Sequence, residues 1–254
     1  MLLTMGARTL ERKRYSSKYI QEQIALASQE VKQDQRDRVL NHFGGFISES
    51  SHSRVFTFPS ASWAFEDQML RRHPNISFVA VERLYDVIRH SVPMMPGDKK
   101  INTDWSSSIG TIYGYHSTKA IIAWCECSTW LGMSHKEGVG LNEYRRNYSA
   151  AWLDFTSPLT SDSIRCMKYL PLSFSRKKPV PFAVTFLVGR ERTVDYRPIK
   201  AIKNHFDSPL ESRVEIVRLA LNKWGHREST ITEAWKYQSR GVVMGMVTGV
   251  SSPK

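Results

Sequence analysis

The order of apolar runs predicts an α/β fold: a mostly parallel sheet with helices on both faces, closed by a C-terminal antiparallel hairpin. Three observations carry that expectation. Residues 54–83, RVFTFPSASWAFEDQMLRRHPNISFVAVER, read as an apolar strand, a tight turn of small residues, a helix and a second strand ending at Glu82. Strand–helix alternation resumes from Ala150 onward. Two β-rich runs then end the chain, residues 231–237 and 242–250, joined by the short turn Gln238-Ser239-Arg240-Gly241.

Each element has a local reason. Residues 16–43 read as a helix, because Ile20, Ile24, Ala27 and Val31 recur at helical spacing and Gly44-Gly45 supplies a stop. On this reading Glu22, Lys32, Asp34 and Arg36 form the solvated opposite face. Residues 1–50 are then an N-terminal helical extension laid on a domain of residues 51–254. Within that domain residues 55–58 are a short strand, Ser62 caps a helix running to Arg72, and His73-Pro74 ends it. Residues 76–81 are apolar at consecutive positions, as in a strand covered on both faces. Residues 84–90 suit a short helix ahead of Pro93 and Pro96. The polar, glycine-bearing stretch 97–140 reads as a loop-rich insertion, with one hairpin over 110–124 around His116-Ser117-Thr118. Residues 150–153 form a strand that delivers Asp154, and a helix follows over 160–170 with Ile164, Met167 and Leu170 inward. Residues 180–188 carry the strongest strand pattern. Ser208-Pro209-Leu210-Glu211 joins a cap, a first-turn proline and an acid, opening a helix whose apolar stripe is Leu210, Val214, Val217, Leu221 and Trp224.

Composition narrows the partners. Of 254 residues, 41% are hydrophobic and 24% charged, enough apolar material for a large core. No window holds the roughly 18 consecutive apolar residues of a membrane span. The opening MLLTM is too short for a signal peptide. Cys125, Cys127 and Cys166 are odd in number and lack zinc-ligand spacing, so the expectation is reduced thiols in a cytoplasmic protein with no metal. Net charge is +12, which attracts polyanions. The surplus is local: Arg165, Lys168, Arg176, Lys177, Lys178, Arg190, Arg192, Arg197, Lys200 and Lys203 are opposed within their span only by Glu191 and Asp195. These ten bases are the expected nucleic-acid contacts. The N-terminal helix offers a docking element for a protein partner. Trp63, Phe65, Trp152 and Trp224 are expected in the core. Trp105, Tyr113, Tyr115 and Trp130 suit either hairpin packing or stacking on a base. A serine-hydrolase elbow and a P-loop are both absent.

A strand, a small-residue turn, a helix and an acid-terminated second strand make half of a nucleotide-binding α/β unit. Together with the closing hairpin, the order of elements over residues 53–250 resembles the class I S-adenosylmethionine-dependent methyltransferases, a Rossmann-like family. The resemblance implies that Pro59, Ser60, Ala61 and Ser62 lie under the methionine part of S-adenosylmethionine. It implies that Glu82 binds the ribose hydroxyls and that Asp154 stands beside the reactive methyl. Two departures accompany it. The turn has no glycine, the residue that allows close backbone approach to a ligand. Asp154-Phe155-Thr156-Ser157 also lacks the two prolines and aromatic that follow the acid in amino-methylating members. Two functions are therefore expected: methyl transfer to a nucleic acid, RNA in preference to DNA, or a retained fold without catalysis that serves nucleic-acid binding or assembly.

Overall fold

The computed structural model describes residues 4–5, 8–9, 21–22, 25, 29–47, 53–59, 62–107, 110–133, 143–188, 209–239 and 241–254. A two-residue ladder, β1 (Thr4–Met5) on β2 (Arg8–Thr9), precedes the main body. There follow α1 (Glu30–Gly44), β3 (Arg54–Thr57), α2 (Ala64–Arg72), β4 (Ser77–Glu82), α3 (Tyr85–Ser91), β5 (Ile101–Ser107), β6 (Gly110–His116) and β7 (Ala120–Trp124). The second half holds α4 (Cys127–Gly132), β8 (Tyr148–Asp154), α5 (Ser161–Tyr169), β9 (Val180–Leu187), α6 (Pro209–Leu221), β10 (Arg227–Ser239) and β11 (Val242–Pro253).

One nine-stranded sheet runs β10-β11-β9-β8-β3-β4-β7-β6-β5. Its centre is parallel, from β7 through β4, β3 and β8 to β9. β11 lies antiparallel between β9 and β10, so β10 points with the parallel set again. On the far edge β6 turns back antiparallel to β7, and β5 to β6. The expected architecture is present, with the antiparallel strand slotted inside the hairpin rather than at the rim.

Two cores fill the two faces. Alternation along β4 sends Val79 and Val81 to one and Phe78 and Ala80 to the other. Ile164, Met167 and Val217, from α5 and α6, cover the first core. The second is covered by Val39, Leu40 and Phe43 from α1 and by Phe65 and Met69 from α2. The parallel strands are therefore apolar at nearly every position, as β7 and β9 show.

Three expectations are corrected. First, α1 turns another face to the sheet. Val31 is 39% exposed, while Gln35, Arg36, Val39, Leu40 and Phe43 are buried. Ile20, Ile24 and Ala27 lie outside the described residues. The strong stripe is the C-terminal one, and its backward continuation carries polar residues inward, where they find partners. Trp235 Nε1 donates to Gln35 Oε1 at 2.7 Å, and Arg36 Nη2 to Gln33 Oε1 at 2.9 Å. Second, the stretch read as loop-rich carries the expected hairpin over 110–124 as β6 and β7, and also β5 and α4, and β7 is an internal strand buried at all positions. Third, Trp224 leaves the apolar stripe of α6 and is 47% exposed.

Close approach decides one glycine. A Cβ on Gly249 of β11 would lie 2.3 Å from the Thr230 carbonyl oxygen and 2.5 Å from the Phe182 ring. Gly249→Ala should cost about 1–3 kcal/mol through overpacking. Urea unfolding checks this; an unchanged midpoint would mean that the hairpin shifts freely.

Candidate active site

The chain leaves β3 toward β4 and β7 on one side, and returns to β8 and β9 on the other. In open α/β sheets such a reversal marks the usual ligand position, here above the C-terminal ends of β3 and β8. Pro59, buried, follows β3 directly; Glu82 ends β4 and Asp154 ends β8, the two strands that flank β3. The fold thus brings Pro59, Ser62, Glu82 and Asp154 to one edge. Ser60 and Ala61 lie outside the described residues.

The turn is built differently from the expectation. Trp63, not Ser62, occupies the cap position of α2, with no side-chain capping bond. Its backbone is left-handed, φ 50° and ψ 28°, a conformation that costs a non-glycine residue about 1–2 kcal/mol. Burial offsets that cost. The indole is fully enclosed and Nε1 donates to the Ser91 carbonyl at 3.0 Å. A large apolar anchor holds the exit of a turn that glycine would have relaxed.

Glu82 is held in place. Its Oε1 accepts the Leu84 N–H at 2.8 Å, and Trp124 Nε1 fixes the same loop through the Arg83 carbonyl at 3.0 Å. Burial pushes the Glu82 carboxyl up to about 7, opposed by the Leu84 N–H and the Arg83 charge.

Asp154 meets residues that sequence reasoning missed. Lys32 Nζ, from α1, lies 3.6 Å from Asp154 Oδ2. Asp154 Oδ1 and the Tyr237 hydroxyl are both buried, and neither has a hydrogen-bond partner among the described residues. Burial raises the Tyr237 phenol well above its ordinary value, and the Asp154 charge adds to the effect. On α2, Glu66 accepts from Thr57 Oγ1 at 3.0 Å, and burial lifts it to about 7 against the nearby Arg36 charge. The apolar period alone places Lys32 and Arg36 on a solvated face, which hides their approach to the site. Tyr237 carries no signal beyond its place on a strand facing the sheet end.

The cations sit elsewhere. Arg165 and Lys168 lie on α5, and Arg176, Lys177 and Lys178 precede β9 at the opposite, N-terminal edge of the sheet. Arg190, Arg192, Arg197, Lys200 and Lys203 are outside the described residues. Trp105 and Trp130 are buried, and Trp130 Nε1 donates to the Tyr148 hydroxyl at 3.0 Å, so both serve packing. The three cysteines are free, and no group of metal-binding side chains forms among the described residues. No described helix is long and apolar enough to cross a membrane.

No protein-family model and no curated protein sequence matches the chain. Solved structures do. Magnesium protoporphyrin IX methyltransferase (ChlM) from Synechocystis PCC 6803, with bound SAH, aligns at TM-score 0.53 and 8% identity, over 94% of this chain and 97% of that one. TYW2 from M. jannaschii, in complex with AdoMet, aligns at 0.50 and 8% identity, over 89% and 78%. The plantazolicin methyltransferase BpumL in complex with SAH aligns at 0.51 and 7% identity, over 93% and 90%. The strand order and these superpositions together give the chain the Rossmann-like fold of the class I S-adenosylmethionine-dependent methyltransferases.

Proposed function

We propose that this protein transfers a methyl group from S-adenosylmethionine to a nucleic acid, RNA in preference to DNA. One observation carries the reading: Glu82 and Asp154 stand at the C-terminal ends of the two strands flanking β3, at the switch point of the sheet. Structures of the same fold hold AdoMet or SAH, which supports that class of cofactor.

The side chains present fit the group. Leu84 N–H orients Glu82 Oε1, and the carboxylate retains acceptor capacity for a ribose diol. Residues 59–62 would lie against the methionine part. Among the described residues, Asp154 Oδ1 is a buried acceptor without a donor, as a carboxylate awaiting an O–H or N–H would be. When bound, S-adenosylmethionine supplies an electrophilic methyl carbon on a sulfonium. The work left to the chain is positioning and proton removal. Asp154, steadied by Lys32, orients the acceptor through Oδ1 and takes up its proton. Tyr237, whose ring the Lys32 ammonium approaches at 5.9 Å, borders this carboxylate. The net charge of +12 and the run of cations after Arg165 support a polyanionic acceptor.

Calorimetric titration with S-adenosylmethionine and its demethylated product tests the reading. Micromolar binding is expected, weakened about 10–100-fold in Glu82→Ala, the range for hydrogen bonds to a charged group. Absence of heat with the wild-type protein would overturn catalysis and leave a scaffold used for contact.

A further inference from the structure

Away from the catalytic edge, α5 and the turn that follows α6 form an open cavity of about 330 Å³ lined by Ser161, Arg165, Lys168, Tyr169, Lys223 and Trp224. Trp224 stacks on Tyr169, with ring centroids 6.0 Å apart and an interplanar angle of 26°, while almost half of its surface stays open. Arg165 pairs with Asp162 at 3.7 Å, but no described residue pairs with Lys168 or Lys223.

The cationic surface continues past Trp224. Buried Arg227 donates to the carbonyls of Ser175 at 2.6 Å and Lys178 at 2.9 Å. This pins the loop bearing exposed Arg176 and Lys177 beside the 224–227 turn. The Arg146 guanidinium is lowered by burial and then by the Arg176 charge, so the two cations feel each other. Like charges beside a half-exposed indole are unfavourable alone and complementary to a polyanion.

We propose that this surface anchors a single-stranded segment of the RNA substrate, with an unstacked base on Trp224 and phosphates on Lys168, Lys223 and the Arg176–Lys178 loop. The inference rests on the nucleic-acid reading above and adds a second site to it. A duplex hides its base faces, whereas a single strand presents them to an aromatic platform. The path to the chemistry is also present. α5 starts at Ser161, after Asp154 at the catalytic edge, and ends at Tyr169, so Ser161, Arg165 and Lys168 form one row along the cavity that points toward that edge. The eight residues of β9 separate the edges by roughly 25 Å.

Fluorescence anisotropy with a labelled single-stranded RNA oligonucleotide, its duplex and a polyglutamate competitor, from 50 to 200 mM salt, tests the site. Trp224→Ala should weaken single-strand binding about tenfold and leave the salt slope intact. Lys168→Gln with Lys223→Gln should reduce that slope by roughly 1.4, about 0.7 for each phosphate no longer neutralised. All three positions are exposed or line an open cavity, and unchanged thermal melting confirms that the variants fold. S-adenosylmethionine titration should be unaffected in each. Normal cofactor binding with no effect of these variants on RNA overturns the anchor alone. RNA anchoring without cofactor binding overturns the catalytic reading alone. Equal binding of duplex, or full displacement by polyglutamate, would show a general polyanion surface and overturn the single-strand assignment.

Discussion

Asp154→Asn should lower the proposed methyl transfer by about 10²–10⁴-fold, the range for loss of a positioned general base, and leave cofactor affinity within about a factor of two. The amide keeps the volume and the orienting oxygen but cannot take up a proton. The variant therefore separates chemistry from cofactor binding, the role proposed for Glu82. Lys32→Met supplies the internal control. It removes the ammonium 3.6 Å from Oδ2 but leaves the carboxylate, so its loss should be smaller than that of Asp154→Asn. Transfer of labelled methyl to RNA measures both, with calorimetry for the cofactor. Equal activity of wild-type and Asp154→Asn proteins would remove Asp154 from the chemistry and leave it a turn residue that anchors α1.

Much of this arrangement was legible in the residues. Strands that are apolar at consecutive positions, such as 76–81 and 180–188, declared a sheet covered on both faces, and β4 and β9 lie there. Acids placed just after such runs sit at strand ends by construction, so Glu82 and Asp154 reached the same edge. What escaped was everything that depends on contacts distant in sequence. Lys32 and Tyr237 are 205 positions apart, yet the Lys32 ammonium lies 5.9 Å from the centre of the Tyr237 ring. The same limit explains Trp224. Its position on the α6 stripe predicted burial, but the helix ends at Leu221 and the following turn carries it outward. In the stretch 97–140 the hairpin read over 110–124 is the β6–β7 pair, while polar residues masked β5, whose edge location tolerates them.

Glu66→Gln should flatten the pH dependence of stability on the alkaline side. Glu66 lies in the first turn of α2 with 1% of its surface exposed, and its carboxyl is raised from 4.5 to about 7 by burial. In the folded protein it therefore keeps its proton up to near pH 7, whereas in the unfolded chain it releases it near 4.5. Between those values the folded state binds more protons, so stability falls as pH rises. The contribution is complete below pH 4.5 and lost as pH passes through about 7. Each pH unit between the folded and unfolded values is worth about 1.36 kcal/mol, so the loss is about 3 kcal/mol. Glutamine preserves the volume and can still accept from Thr57 Oγ1, but cannot ionise. Urea unfolding across pH 4.5–8 should show the variant gaining about 3 kcal/mol on the wild type over that window. Glu82, also raised to about 7, is common to both proteins and cancels in the difference. A constant separation would mean that Arg36 holds Glu66 as an ion pair throughout. The effect reaches the site itself, because the Thr57–Glu66 bond ties the last residue of β3 to α2 across the turn of residues 59–62. A proton on Glu66 thus supports the same backbone on which the methionine end of the cofactor is proposed to rest.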